Sequence, residues 1–190
     1  GHHLSLNFTL DKGKVISDTP AFFGANPAVW IAGPKKGTEV LPEAEDYAKE
    51  LFKSLDDDQK KVALQKERFP EIEEAAKTPT TVGAPKGLSA AKMNEKQRDL
   101  LQKLIKGYAD RLPPDIAKSE LDGVKEGGFD NVTFAYQGGL AQGEKHTYRV
   151  QGPSFVIEFL NVQEDSAKNP ADHIHSGWRS LKNDFGAAKG

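Results

Sequence analysis

Cysteine is absent from the 190-residue chain, and this absence removes several classes of functional site. Disulfide scaffolds, thiolate metal centres and cysteine nucleophiles all need the sulfur atom that the chain lacks. The absence does not indicate a compartment, because cytosolic and exported proteins can both lack cysteine. Any metal site must therefore be built from imidazole and carboxylate groups.

The chain also lacks a strong excess of one charge and a long apolar run. Its 26 Lys and Arg residues and 28 Asp and Glu residues leave a formal net charge of -2, without the basic excess that binds a phosphate backbone. We therefore expect no nucleic-acid partner. No apolar run approaches the roughly 18 residues that span a bilayer, so we also expect no membrane span.

Short motifs of several large enzyme classes are missing as well. The sequence has no GxGxxG, P-loop, GxSxG or HExxH pattern. Nucleotide enzymes, serine hydrolases of the elbow type and zincins therefore find no support.

Strand patterns occur at the start of the chain. Polar and apolar residues alternate from His3 to Leu10, with His3 on the polar face and His2 on the apolar face. A turn is predicted at residues 11–13, and residues 14–19 predict the second arm of a hairpin. The pattern then breaks at the Gly24-Ala25-Asn26-Pro27 stretch.

Strand patterns return near the end of the chain. Residues 132–137, 145–151 and 154–163 predict three strands, the last two joined by a tight Gly152-Pro153 turn. In the third of these strands, Glu158 projects from the side away from the aromatic residues.

Helix patterns fill the middle of the chain. The stretch Asp56-Asp57-Asp58 predicts a capped helix start, because the glycine and terminal glutamate of a calcium-binding EF-hand loop are missing. Residues 59–77 predict a charged helix, and residues 78–87 predict an exposed loop. Asn94 with Gln97 three residues later predicts a capping box before a long apolar stripe.

Together these patterns predict an α+β fold. An antiparallel sheet is expected to form from the N-terminal hairpin and a C-terminal meander, with a helical segment of about residues 42–121 inserted between them and covering one face. We expect residues 1–23 to pack beside residues 132–163. Residues 1–186 are predicted to form a single domain, followed by a tail at 187–190.

Two histidines two residues apart give the strongest functional signal. In an extended segment, His173 and His175 place both imidazoles on one face. His3 on the polar face of the first strand is the candidate third ligand. Three imidazoles can bind Zn, Cu or Fe, and Glu158 is the candidate general base or fourth ligand of a hydrolytic or oxidative metal enzyme.

Two other interpretations stay open at this point. Paired histidines also occur as hydrogen-bonded core residues. Arg149 and Arg179 have planar guanidinium groups that suit carboxylate or phosphate, so the cluster could instead hold a small anionic ligand. The alternative function is therefore a non-catalytic binding or envelope protein.

Several of these motifs together resemble the domain-of-unknown-function family numbered 3500, from residue 1 to about residue 186. They are residues 1–8, 22–27 (Phe-Phe-Gly-Ala-Asn-Pro) and 148–153 (Tyr-Arg-Val-Gln-Gly-Pro), then Glu158, 173–176 (His-Ile-His-Ser) and 183–186 (Asn-Asp-Phe-Gly). Where the family pattern leads us to expect a second carboxylate after Glu158, this chain has Leu160, and Gly177 replaces a bulkier residue.

The resemblance implies that Gly1-His2-His3 is native sequence rather than the remnant of a purification tag. It further implies that the chain, which begins without methionine, is the C-terminal portion of a longer bacterial protein exported to the periplasm or beyond. It implies no activity.

Overall fold

The computed structural model describes residues 3–70 and 82–187. Its strands are β1 (Leu4–Leu6), β2 (Thr9–Asp11), β3 (Lys14–Ser17), β4 (Ala21–Ala25), β5 (Leu88–Ser89), β6 (Thr133–Gly138), β7 (His146–Gln151), β8 (Phe155–Gln163) and β9 (His173–Ser180). Its α-helices are α1 (Pro42–Ser54), α2 (Asp57–Ala63), α3 (Glu95–Ala109) and α4 (Pro114–Glu126). His2, residues 71–81 of the predicted helix and loop, and residues 188–190 of the predicted tail lie outside the described residues.

The predicted α+β fold is confirmed. Seven strands form one sheet in the order β1-β4-β9-β8-β7-β6-β5, and each neighbouring pair is antiparallel. Strands β6, β7 and β8 form the predicted three-strand meander, and β9 continues it beside β8. The N-terminal strands join them through β4, which pairs with β9 rather than with a strand of residues 132–163 as expected. The helices lie in the sequence between these two strand groups, as predicted.

The N-terminal strands differ in detail from the prediction. The predicted hairpin forms as β2 and β3, but these strands make a separate two-stranded sheet. In the main sheet β4 links β1 to β9. It was not predicted as a strand, and its last two residues, Gly24 and Ala25, fall in the stretch where the pattern was expected to break. Because β4 consists of small and aromatic residues that are all at least half-buried, it has no polar–apolar alternation to mark it.

The capped helix start predicted at Asp56 and the capping box predicted at Asn94 are both confirmed. Asp56 accepts a hydrogen bond from the Gln59 backbone N–H at the start of α2, and Asn94 does the same for Gln97 at the start of α3. Each glutamine side chain reciprocates toward the cap residue, so two otherwise unpaired N–H groups are satisfied at each helix start. The helix predicted for residues 59–77 ends earlier, at Ala63.

One face of the sheet packs against α1 and α3 and forms the core. Tyr148, Phe159 and Trp178 point to this face and are at most 1% exposed. Burying each such ring contributes roughly 1.5–3 kcal/mol to folding. The Tyr148 hydroxyl also donates to the Ala44 carbonyl oxygen in α1 at 2.7 Å. Because side chains alternate along β9, His173 and His175 must point to the opposite face.

None of the helices in the described ranges is both long enough and apolar enough to cross a bilayer. The predicted single domain over residues 1–186 stays a prediction.

Candidate metal centre

Strand register brings the three predicted histidine ligands together. His173 and His175 both lie in β9, and His175 pairs with Gly24 of β4. On the other side of β4, Leu4 pairs with Phe23, so His3 lies opposite Gly24. The Gly24 N–H donates to the His3 carbonyl oxygen at 2.8 Å, which holds this register. His3 and His175 are therefore on one face of the sheet, on either side of Gly24.

The imidazole nitrogens of His3, His173 and His175 converge. One ligand nitrogen from each residue lies within 4.8 Å of the other two. His3 Nε2 and His173 Nε2 are 2.9 Å apart. In a tetrahedral site with Zn–N bonds of about 2.0–2.1 Å, two ligand nitrogens would be about 3.3 Å apart. A separation of 2.9 Å therefore lies within a small side-chain adjustment of metal-binding geometry.

Gly24 makes this convergence possible. A Cβ atom at residue 24 would lie 2.6 Å from the Ile174 carbonyl oxygen and 3.0 Å from His3 Cδ2. The first distance is shorter than real Cβ contacts and involves backbone that cannot easily move. A side chain here would therefore push β1 away from β9 and separate His3 from its partners.

Asn161 and Asn26 hold His173 in place, and neither was predicted as part of the site. The His173 backbone N–H donates to Asn161 Oδ1 at 3.2 Å. The Asn26 side-chain amide lies 3.4 Å from His173 Nδ1. A ligating imidazole usually donates its second N–H to an oxygen acceptor, and the Asn26 side chain offers one. Its approach to His173 depends on the β4–β9 pairing, which the sequence did not predict.

Asp172 fixes the loop that carries Asn26. Its Oδ1 accepts hydrogen bonds from the backbone N–H groups of Ala28 and Val29, both at 3.1 Å. Burial raises the pKa of the Asp172 carboxyl, and the neighbouring Asp165 carboxyl raises it further. The two backbone donors stabilise the charged form and oppose that rise. The loop after β4 is thereby tied to the start of β9.

The facing Nε2 atoms of His3 and His173 allow two protonation states of the histidine cluster. Two Nε2 atoms 2.9 Å apart are compatible with one N–H donating to the other lone pair, or with two lone pairs directed at one cation. In the first state the Asn26 NH₂ group donates to His173 Nδ1. In the second state the amide turns by half a rotation and Asn26 Oδ1 accepts from Nδ1–H. The site therefore has a hydrogen-bonding arrangement for both states.

Glu158 lies on the same face but outside this cluster. It pairs with Gly177 across β8 and β9, which places it diagonal to His175, a relation that separates residues by about 7–8 Å. Its Oε1 accepts from Arg149 Nε at 3.1 Å and from Arg149 Nη2 at 2.5 Å. Within the described ranges the cluster of ligand atoms contains three histidines and no carboxylate. The catalytic assignment of Glu158 stays a prediction.

The two predicted ligand-binding arginines are each engaged in a buried ion pair. Besides Glu158, Arg149 donates to the Val82 carbonyl oxygen at 3.1 Å and lies over the Phe69 ring. Arg179 donates from Nε and Nη2 to Asp184 Oδ2, and both side chains are at most 5% exposed. Binding of an anion by either arginine would have to compete with an internal carboxylate, so their ligand-binding role stays a prediction.

His146 lies apart from the cluster, on the helix side of the sheet. It is 1% exposed and stacks between the Tyr136 and Phe159 rings. Its Nδ1–H donates to the Glu144 carbonyl oxygen at 2.9 Å. Burial lowers the pKa of His146 and keeps the ring neutral. This histidine is therefore a core residue.

Comparison with known proteins identifies the family. The model of the family described as "Protein of unknown function (DUF3500)" matches residues 1–187. The chain therefore belongs to this family, as the resemblance in its motifs indicated. No curated protein and no solved structure matches the chain.

Proposed function

We propose that this protein binds one transition-metal ion through His3, His173 and His175. The observation that carries the proposal is the convergence of three imidazole nitrogens within 4.8 Å on paired strands of one sheet. Neutral imidazole suits Zn, Cu and Fe alike, so the donor set is compatible with each of these metals.

The finer proposal is a metal-dependent enzyme. Three protein ligands leave a fourth coordination position for water or substrate, as in catalytic rather than structural zinc sites. The three histidines are only partly buried, so small molecules can approach that position. With no carboxylate among the ligands, the site would keep the full charge of the metal and lower the pKa of a bound water. Hydrolytic and oxidative chemistry both fit these features.

The alternative of an anion-binding or envelope protein has less support. Both candidate arginines already bind internal carboxylates, and opening a buried ion pair is costly. We further propose, from the family resemblance, that the protein is exported.

Metal titration of the stripped protein tests the proposal. After treatment with a chelator, the protein should take up one equivalent of Zn²⁺, Cu²⁺ or Fe²⁺ in calorimetry, and elemental analysis of gently purified protein should find the same stoichiometry. Alanine at His3, His173 or His175 should each reduce the affinity by at least about 100-fold, because each removes a ligand. Ser5→Ala changes an exposed residue of β1, two positions after His3, and is the matched control that should retain wild-type affinity. Substoichiometric binding, or wild-type affinity in any histidine variant, would contradict the three-histidine site.

A further inference from the structure

A second unusual group of side chains lies where α4 contacts β9. Asp18 follows β3 and is 5% exposed. Glu120 projects from α4 toward it, and the two carboxyl groups are in hydrogen-bonding contact. The Trp178 indole N–H in β9 donates to Glu120 Oε2 at 2.9 Å. Three elements that are distant in sequence therefore meet at one carboxyl pair.

This contact requires a proton. Two ionised carboxylates are acceptors only, and no donor reaches the buried Asp18 Oδ2 while Glu120 is ionised. A single proton on Glu120 turns the contact into a hydrogen bond to Asp18. Burial, and then the neighbouring Asp18 charge, raise the pKa of Glu120 to about 7. Burial raises the pKa of Asp18 as well, although its hydrogen bond to Glu120 opposes that rise.

Other charged groups near Glu120 do not replace this proton. Lys118 and Lys125 on the same helix both pair with Asp122. Lys182, from the turn after β9, is exposed to solvent. Asp115 and Glu126 are the other charged residues of the adjoining cleft, and both add negative charge. The groups that face the Glu120 carboxyl directly are therefore Asp18 and Trp178.

We propose that Asp18 and Glu120 act as a pH-sensitive latch, which holds α4 against the sheet when the pair shares a proton and loosens it when the proton is lost. Loss of the proton places two negative charges in contact within a largely buried site, which favours separation of the two elements. Glu120 also borders a cleft of about 910 Å³ between α4 and the turn after β9, together with Ser154, Ser180 and Asn183. Release of the latch would widen this cleft. The inference is independent of the histidine cluster.

The direction in which the stability of the protein changes with pH follows from the raised pKa of Glu120. The folded-state pKa of Glu120 lies above its unfolded value, so the folded protein holds the proton more tightly. Stability is therefore greatest below the ordinary glutamate pKa and is lost as the pH rises toward and through about 7. Between pH 5 and pH 8 we expect the unfolding equilibrium constant to rise roughly 10- to 100-fold from this group.

Glu120→Gln provides the test. The glutamine amide can accept from Trp178 and donate to Asp18 at every pH, so the variant should be more stable than wild type at pH 8 and should lose the rise in unfolding between pH 5 and pH 8. Glu126→Gln, an exposed change on the same helix, is the control and should keep the wild-type pH profile. Denaturant unfolding at several pH values measures the stability of the wild type and of both variants. An unchanged pH profile in Glu120→Gln would overturn the latch.

A spectroscopic readout on the unmutated pair gives independent evidence. In a Trp30→Phe background, which removes the half-exposed second tryptophan, the fluorescence of Trp178 should titrate with the carboxyl that it contacts, near pH 7. Carboxyl ¹³C resonances should give the same midpoint for Glu120, and Asp18→Asn should move that midpoint down toward the ordinary glutamate range. A Glu120 midpoint below about 5.5 in the wild-type protein would overturn the proposal.

Discussion

His3 and Gly24 face each other across the β1–β4 pair, and the Gly24 N–H binds the His3 carbonyl oxygen at 2.8 Å. Because Gly24 also pairs with His175 on its other side, this one glycine separates two of the three candidate ligands. The metal centre thus depends on a residue that contributes no side chain. The metal centre requires glycine at residue 24 for a steric reason, which can be tested directly.

Gly24→Ala should weaken metal binding. The added methyl group would contact the Ile174 carbonyl oxygen at 2.6 Å and His3 Cδ2 at 3.0 Å, so β1 must shift. We expect a loss of metal affinity of about 10- to 100-fold, with a destabilisation of about 1–3 kcal/mol from overpacking. Gly123→Ala, in α4 where no atom lies within 4 Å of the added carbon, is the control and should be neutral or slightly stabilising. Calorimetric metal titration and urea unfolding of both variants measure the difference. Wild-type affinity in Gly24→Ala would show that His3 is not a ligand.

Asn26 should tune the metal site through the tautomer of His173. Asn26→Ala removes the group that faces His173 Nδ1 and should reduce the metal affinity by roughly 10- to 100-fold. Asn26→Asp should keep or increase the affinity, because a carboxylate accepts from Nδ1–H and so leaves the Nε2 lone pair free for the metal. Chelator competition should therefore place the affinity of Asn26→Asp at or above that of the wild type and the affinity of Asn26→Ala below it. Equal losses in both would assign Asn26 a steric role instead.

Metal affinity should fall as the pH is lowered into the acidic range, because each imidazole ligand must be neutral to bind the metal. Protons compete with the metal for the same lone pairs, so binding should release protons in this range. Calorimetry in buffers of different ionisation enthalpy counts the protons released. A metal affinity that is constant from pH 5 to pH 8 would exclude imidazole ligands.

The sequence predicted part of this site because some of its geometry is local. His173 and His175 share a face through the two-residue period of a strand, and Glu158 was placed on the correct side of β8 by the same rule. The approach of His3 is not local. It depends on the pairing of β1 with β4 and of β4 with β9, and β4 carries no alternation that predicts a strand.

The pairing of Arg149 with Glu158 escaped prediction because of strand register. The predicted Gly152-Pro153 turn would have paired Arg149 with Val156. In the structure the Gly152 N–H donates to the Phe155 carbonyl oxygen, so the turn is centred one residue later and Arg149 pairs with Glu158. A shift of the turn by one residue moves every cross-strand partner by two positions, which keeps each side chain on its face but changes its neighbour.

Tyr148→Phe should destabilise the fold without altering metal binding. The Tyr148 hydroxyl donates to the Ala44 carbonyl oxygen and lies 2.7 Å from the Tyr108 hydroxyl, in a site where both rings are at most 1% exposed. Removing it leaves buried polar groups in α1 and α3 without their partner, at a cost of about 1–3 kcal/mol. Thermal unfolding measures the loss, and an unchanged metal titration shows that the helix side and the histidine side of the sheet are energetically separate. A parallel loss of metal affinity would show that they are coupled.

Glu158 can be assigned to structure or to function by a paired substitution. Glu158→Ala leaves the Arg149 guanidinium buried without its carboxylate, so we expect a loss of about 3–5 kcal/mol in the free energy of unfolding. The double variant Arg149→Met with Glu158→Leu replaces the buried ion pair with apolar side chains of similar size and should recover most of that loss. Because Glu158 lies outside the cluster of ligand atoms, both variants should bind metal with wild-type affinity once folded. If the double variant is stable but has lost metal binding or a metal-dependent activity, Glu158 acts at the metal centre in addition to pairing with Arg149, and the catalytic prediction for this residue gains its first direct support.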